Sequence, residues 1–263
     1  MKNLLLKTIV CGLICCSQFV MAQEDTQESA AELAKKLANP IASLISMPLQ
    51  NNTDFGIGPN NGSKNTLNIQ PVIPIDLSEK LNLITRVVLP VISQYNVTGI
   101  GNSEFGLGDA SISTWISPSE SKGGLTWGAG PVFLIPTGTD DYLTSKKFGI
   151  GPTAIALYQA KGMTVGGLVN QIWSDTVSSL FFQPFFVYNW KSGAGAGANF
   201  EITQNWQGDT TTVWFNPTIS AVTSLGKQKT QFTIGPRFNL AAPNATKADL
   251  GIRAQVVFLF PKS

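Results

Sequence analysis

Six charged residues fall where a strand's alternation would turn them away from its apolar face: Arg86, Asp109, Glu201, Arg237, Asp249 and Arg253. Arg237 and Arg253 stand on segments joined by a single loop, so a hairpin would bring them side by side. Two guanidiniums in a confined interior are costly unless a carboxylate compensates them. With Glu201 or Asp109 as that partner, the group is a neutral internal network. Without it, the arginines form an anion-preferring ring that selects solutes. Both readings put the six residues on the inner wall of a lumen, as candidate pore-lining positions.

Other chemistry is harder to build from this chain. It contains no histidine, which removes Ser-His nucleophiles, histidine general bases and histidine metal sites together. Its cysteines, Cys11, Cys15 and Cys16, all lie in an N-terminal leader. No Walker loop occurs, and the GAGAG run at 193–197 reads as a turn entering a strand. No enzymatic activity, cofactor or metal is expected.

The elements that must position the charged residues are strands. The clearest is 249–260, where Leu250, Ile252, Ala254, Val256, Phe258 and Phe260 alternate with Asp249, Gly251, Arg253 and Gln255. One face suits lipid or a core and the other water. A last strand of this kind suggests a closed barrel in which it pairs with the first and leaves no edge. About twelve such segments follow one another, each long enough for a tilted membrane strand. They cover 41–52, 64–75, 81–94, 105–117, 125–136, 147–160, 163–174, 180–191, 196–206, 211–224, 229–240 and 249–260. An even number puts both chain ends on one side, the periplasm, and sorts the connectors into short turns there and external loops opposite.

Some features resist this assignment. Segments 125–136 and 147–174 are apolar on both faces, which means a locally apolar lumen or misplaced boundaries. Pro71, Pro90, Pro131, Pro152, Pro184, Pro217 and Pro236 interrupt apolar runs, and each removes a ladder donor. They mark bulges and rims, or a lateral weak point through which an apolar solute leaves sideways. Tryptophans gather at segment ends as an interfacial girdle would, but strict alternation turns Trp115 and Trp214 inward.

Composition agrees with a membrane barrel. Charged residues make up 13% of the 263, and the mean hydropathy is +0.11, yet nothing after the leader is a continuous apolar run long enough for a membrane helix. Residues 1–22, with Lys2 and Lys7 before an apolar stretch and Val20-Met21-Ala22 at its end, read as a secretory signal peptide. The chain has 18 basic and 16 acidic residues. The leader removes two of the basic ones, and a balanced chain has no bulk charge with which to recruit nucleic acid. Residues 23–40 form the one helical segment. Asp25 to Glu28 have capping-box spacing, Ala30, Leu33, Ala34 and Leu37 share a face, and Asn39-Pro40 ends it. It either rests on the periplasmic rim or enters the barrel as a plug.

A repeated phrase adds a resemblance. FGIGP at 55–59, WGAGP at 127–131 and FGIGP at 148–152 have looser echoes at 105–109 and 232–236. With ELAKKLANPIASLIS at 32–46, TLNIQPVIP at 66–74, GAGPVFLIPTGTDD at 128–141 and FLFPK at 258–262, the chain resembles a family of Gram-negative outer-membrane transporters. That family is related to the phenol meta-pathway degradation barrels and is often mislabelled neuromedin U. The resemblance covers nearly all of the mature chain. It implies an outer-membrane barrel, and its relatives imply aromatic solutes.

The reading is therefore an all-β protein, an antiparallel transmembrane β-barrel of about twelve strands at 41–263 with a short N-terminal helix, located in the cell outer membrane. Its expected partners are outer-membrane lipid, the barrel assembly machinery and a small-molecule solute, apolar or aromatic ones among them, taken up passively. The alternative is a non-transporting structural or surface-interaction barrel filled by its own side chains. A secreted β-sandwich is a third possibility.

Overall fold

A computed structural model describes residues 29–260 of the protein. The leader at 1–22, the capping spacing at 25–28 and the ending at 261–263 lie outside the described residues.

One short helix, α1 (Ala30–Leu37), precedes the strands β1 (Ile45–Ile57), β2 (Gly62–Ile69), β3 (Val72–Asp76), β4 (Leu81–Tyr95), β5 (Ser103–Leu107), β6 (Ala110–Pro118) and β7 (Leu125–Ile135). The second half contributes β8 (Gly149–Ala160), β9 (Met163–Trp173), β10 (Ser178–Asn189), β11 (Ala194–Asn205), β12 (Thr210–Leu225), β13 (Gln228–Ala241) and β14 (Leu250–Phe260). Each strand pairs antiparallel with its neighbour, and β14 returns to β1 from Ile45 opposite Phe260 to Phe55 opposite Leu250. That seam closes the sheet, so the long apolar strands expose no free edge.

The fourteen hydrogen-bonded strands make twelve staves. β2 and β3 are one stave kinked at Pro71, which has no N–H. Bonding resumes on both sides of it, with Gln70 N–H donating to the Pro48 carbonyl and Val87 N–H to the Pro71 carbonyl. β5 and β6 are another, bulged at Gly108 and Asp109. β4 pairs Val91 with Leu107 and Val88 with Ser111, so three residues face two and the inward set changes parity there. The first stave is displaced from the expected 41–52. Residues 41–44 do not join the sheet, and pairing carries β1 into the first repeated phrase, to Phe55 against β14 and to Ile57 against β2.

Pro131, Pro152, Pro217 and Pro236 share an explanation. Pro131 and Pro152 face each other across β7 and β8, so each turns its missing donor toward its other neighbour. There the ladders skip rungs, between Ser113/Val132 and Ile116/Ala129 for the first and between Ile150/Trp173 and Thr153/Asn170 for the second. The glycine before each proline lets the strands stay close. A Cβ on Gly130, Gly151 or Gly235 would collide with the carbonyl oxygen of Thr114, Gln171 or Pro217. In β7, β8 and β13 the Gly-Pro step is thus the local device for crossing a missing hydrogen bond, whereas Gly58-Pro59 of the first phrase lies in the turn after β1. Pro217 and Pro236 fall in one gap, between Phe215/Phe238 and Ile219/Ile234 of β12 and β13.

The outer surface is apolar with aromatic ends. Trp127, Tyr158, Tyr188, Trp190 and Phe260 are exposed near the end that holds both termini of the barrel, and Tyr95, Phe105, Trp173 and Trp206 near the loop end. Trp115 and Trp214 face inward and belong to neither belt. Among the described residues no helix is long and apolar enough to cross a membrane; the strands provide the spanning surface.

The doubly apolar segments are explained by the lumen. Ile155 and Leu157 of β8 and Leu168 of β9 point inward and bury against Trp115, Ile84, Val72 and Ile41, with Phe181 and Phe185 alongside. Their alternates, among them Tyr158, Val165 and Val169, face outward.

Candidate functional site

From the loop end inward, the lumen has a charged layer, a cavity and an apolar floor. In the charged layer, Glu201 on β11 accepts from both arginines, from Arg253 Nη2 at 2.7 Å and Arg237 Nη1 at 3.4 Å. Arg237 Nε also donates to Asp54 Oδ1 on β1 at 3.0 Å, and Arg253 Nε to Asn52 Oδ1 at 2.8 Å. The Arg237 guanidinium lies 4.4 Å from the centroid of the inward Trp214. Two cations and two carboxylates therefore neutralise each other across the β1–β14 closure, with four of the six guanidinium nitrogens donating to acceptors. Lys64 stands opposite Asp54 in register on β2.

The two arginines are not directly paired. In the β13–β14 register Arg253 faces Gly235 and Arg237 faces Gly251, so they are diagonal and each lies over a glycine. The hairpin bulk that would otherwise oppose each guanidinium is absent, which leaves room for Glu201 to reach both from β11.

Two expected pore-lining residues stand elsewhere. Asp109 sits in the β5–β6 bulge and binds the loop between β7 and β8. It accepts from Ser145 N–H at 2.6 Å, Ser145 Oγ at 2.7 Å, Thr144 Oγ1 at 2.6 Å and Gly138 N–H at 3.2 Å. It anchors that loop and does not balance the arginines. Asp249 is exposed at the loop end, against Gly56 and just before β14, and is outside the network. The carboxylate that replaces them, Asp54, escaped sequence reasoning because the first strand was expected to end at 52. Its signal was the even-numbered polar series Gln50, Asn52 and Asp54.

Below the network lies a cavity of about 550 Å³ whose wall includes Arg86, Glu201, Gln183, Gln255, Phe181 and Phe185. Arg86 occupies the middle of β4, opposite Val72 and Ser113, with its guanidinium 5.5 Å from the centroid of the Trp115 ring. Trp115 is fixed in turn, because its Nε1–H donates to Thr153 Oγ1 at 3.0 Å and that hydroxyl donates to Asn170 Oδ1 at 2.5 Å.

The floor is built by the N-terminal segment. α1 is capped by Ser29, whose Oγ accepts from Glu32 N–H while the Glu32 carboxylate accepts from Ser29 N–H. Its apolar face, Leu33 and Ala34 with Ala30 and Leu37 beside them, packs on the inward Val222, Val257 and Leu259. Gln159 Nε2 donates to the Lys35 carbonyl at 2.8 Å and Asn189 Nδ2 to the Ala34 carbonyl at 3.2 Å, which satisfies carbonyls near the helix end. Beyond the helix, Ile41 enters the Trp115 cluster and Ser43 Oγ accepts from Asn82 Nδ2 at 2.7 Å.

Comparison with known proteins agrees on the fold. The COG4313 outer membrane channel from Pseudomonas putida F1 superposes with a TM-score of 0.67 at 15% identity, covering 84% of this chain and 97% of that one. The KdgM porin gives 0.50 at 10% identity, covering 82% and 99%. No family model and no curated protein matches the sequence. The fold is that of Gram-negative outer-membrane channel and porin barrels.

Proposed function

We propose that this barrel sits in the outer membrane as a channel for passive passage of small molecules, apolar or aromatic ones among them, and that the N-terminal segment containing α1 plugs its periplasmic end. The observation that carries the reading is the cavity of about 550 Å³ inside a closed barrel with both amide and aromatic walls. A barrel serving only as a scaffold has no need to keep its lumen open at mid-height. The barrel folds of a channel and a porin, matched over 97% and 99% of those chains, support the same reading. The aromatic class rests on the sequence resemblance to the meta-pathway relatives and on Phe181 and Phe185 in the cavity wall. Insertion by the barrel assembly machinery is part of the proposal, with β14 as the closing strand.

The inward-facing Arg86, Glu201, Arg237 and Arg253 are the pore-lining residues of this channel, with Asp54 as the added carboxylate. A second reading, the non-transporting barrel, is favoured by the apolar floor, where α1 and the Trp115 cluster bury side chains against one another. Single-channel recording and solute flux in proteoliposomes separate the two. The channel reading expects a small conductance from the full protein and a several-fold larger one after deletion of residues 23–40. A deletion variant that shifts on heating in a detergent gel, as a folded barrel does, yet conducts nothing would leave the scaffold reading standing.

A further inference from the structure

We infer that the mid-lumen cavity is a binding site for small organic monocarboxylates, in which Arg86 holds the carboxylate while Phe181 and Phe185 receive an aromatic or short aliphatic body. This deepens the channel reading by naming a solute class, and it rests on that reading only for the claim that the ligand is cargo.

Arg86 differs from the other two lumen arginines in having no carboxylate partner among the described residues. Asp54 and Glu201 are engaged by Arg237 and Arg253. Among the described residues, no carboxylate forms an ion pair with Arg86. Three buried side-chain atoms of the described residues have no hydrogen-bond partner, and the one on a cationic side chain is Arg86 Nε. Arg86 Cζ lies over the Trp115 ring, 5.5 Å from its centroid, in cation–π contact. A cation–π contact offers no oxygen or nitrogen acceptor, and the buried Nε–H is left without a hydrogen-bond partner. A carboxylate approaching edge-on would accept two guanidinium N–H groups in parallel, the geometry that arginine is suited to and that lysine is not.

The surroundings decide what that carboxylate belongs to. Arg86, Phe181 and Phe185 line the same cavity, and both phenylalanines pack on the Trp115 cluster that supports Arg86. A volume of about 550 Å³ is in the range of sites that enclose small organic ligands. An inorganic anion would use the guanidinium and leave the aromatic wall wet. An uncharged hydrocarbon would use the wall and leave a buried cation unpaired. An acid with an apolar body satisfies both.

Calorimetric titration of the full mature protein in nanodiscs of zwitterionic lipid, corrected with empty discs, tests the site with benzoate, benzamide and acetate. Benzoate is expected to bind at least about tenfold more tightly than its neutral analogue benzamide, the discrimination expected of a charge-assisted hydrogen-bonded pair, and more tightly than acetate. Arg86→Gln should bring benzoate down to the level of benzamide, and Arg86→Lys should retain an intermediate preference. Equal binding of benzoate and benzamide by the unaltered protein would mean a hydrated arginine only, and would overturn the proposal even if Arg86→Gln failed to fold. Acetate binding as tightly as benzoate would remove the organic part of the claim, and a preference unchanged in Arg86→Gln would remove Arg86. The titration needs no transport, so absent flux in proteoliposomes would defeat the channel reading and leave the site intact.

Discussion

Glu201 is the residue on which the lumen charges depend, since among the described residues it is the one carboxylate bonded to both Arg237 and Arg253. Removing a partner from a buried charged group costs more than the pair contributes, because the orphaned charge stays out of water. Glu201→Gln is therefore expected to destabilise the barrel by about 3 kcal/mol, read as a lower urea midpoint for loss of the heat-shifted gel band. The same variant leaves Arg237 and Arg253 with Asp54 alone, so the reversal potential in a salt gradient should move toward chloride. Unchanged selectivity would show that the network lies off the ion path. Arg237, Arg253 and Glu201 were legible from alternation because the inward face of a membrane strand is where a charge can be tolerated. Their diagonal placement and the use of Asp54 were not, since both depend on register between strands, which is set by turn geometry and pairing across the whole closure.

At the scale of elements, the Gly-Pro steps and the anchored loop make separate predictions. A side chain at Gly151 would meet the Gln171 carbonyl, which is backbone and cannot rotate away. Gly151→Ala should thus cost roughly 1–3 kcal/mol and lower the yield of refolded barrel, whereas the same change at Gly226, where nothing lies within 4 Å of the added carbon, should be limited to the strain of its positive φ. Asp109→Ala removes four hydrogen bonds from the 137–146 loop, and limited proteolysis is expected to cut that loop several-fold faster with the barrel intact. The gap shared by Pro217 and Pro236 is the widest break in the β12–β13 seam. If apolar solutes leave sideways there, a disulfide between Ser220→Cys and Thr233→Cys, which face each other in register, should slow their flux but spare ion conductance. Equal slowing of both, or of neither, would argue for an axial path. The sequence showed where ladder donors were missing. It did not show that two of them faced one another, or that two others shared a seam.

At the scale of the whole molecule, a closed twelve-stave sheet leaves its interior to be filled by whatever its inward residues attract. Near the loop end those residues are charged and neutralise one another; near the other end they are apolar and bury the face of α1. The helix has too few residues to be stable alone in water, so its order depends on that apolar floor. Leu33→Asp is accordingly expected to release the segment and raise conductance toward that of the 23–40 deletion, with the barrel still folded by the gel assay.

By itself the sequence determined that the chain is a barrel of strands with an apolar outside, because period-two alternation and low charge are properties of each segment and need no partner to be read. It also determined the apolar face of the helix and the inward turn of Trp115 and Trp214. Only the tertiary structure decided which carboxylates meet which arginines, that Asp109 holds a loop, that residues 30–44 pack on lumen-facing side chains, and that Arg86 is left with an aromatic ring and, among the described residues, no carboxylate partner. These are contacts between residues far apart in the chain, fixed by closure and register, and no local pattern encodes the distance between them.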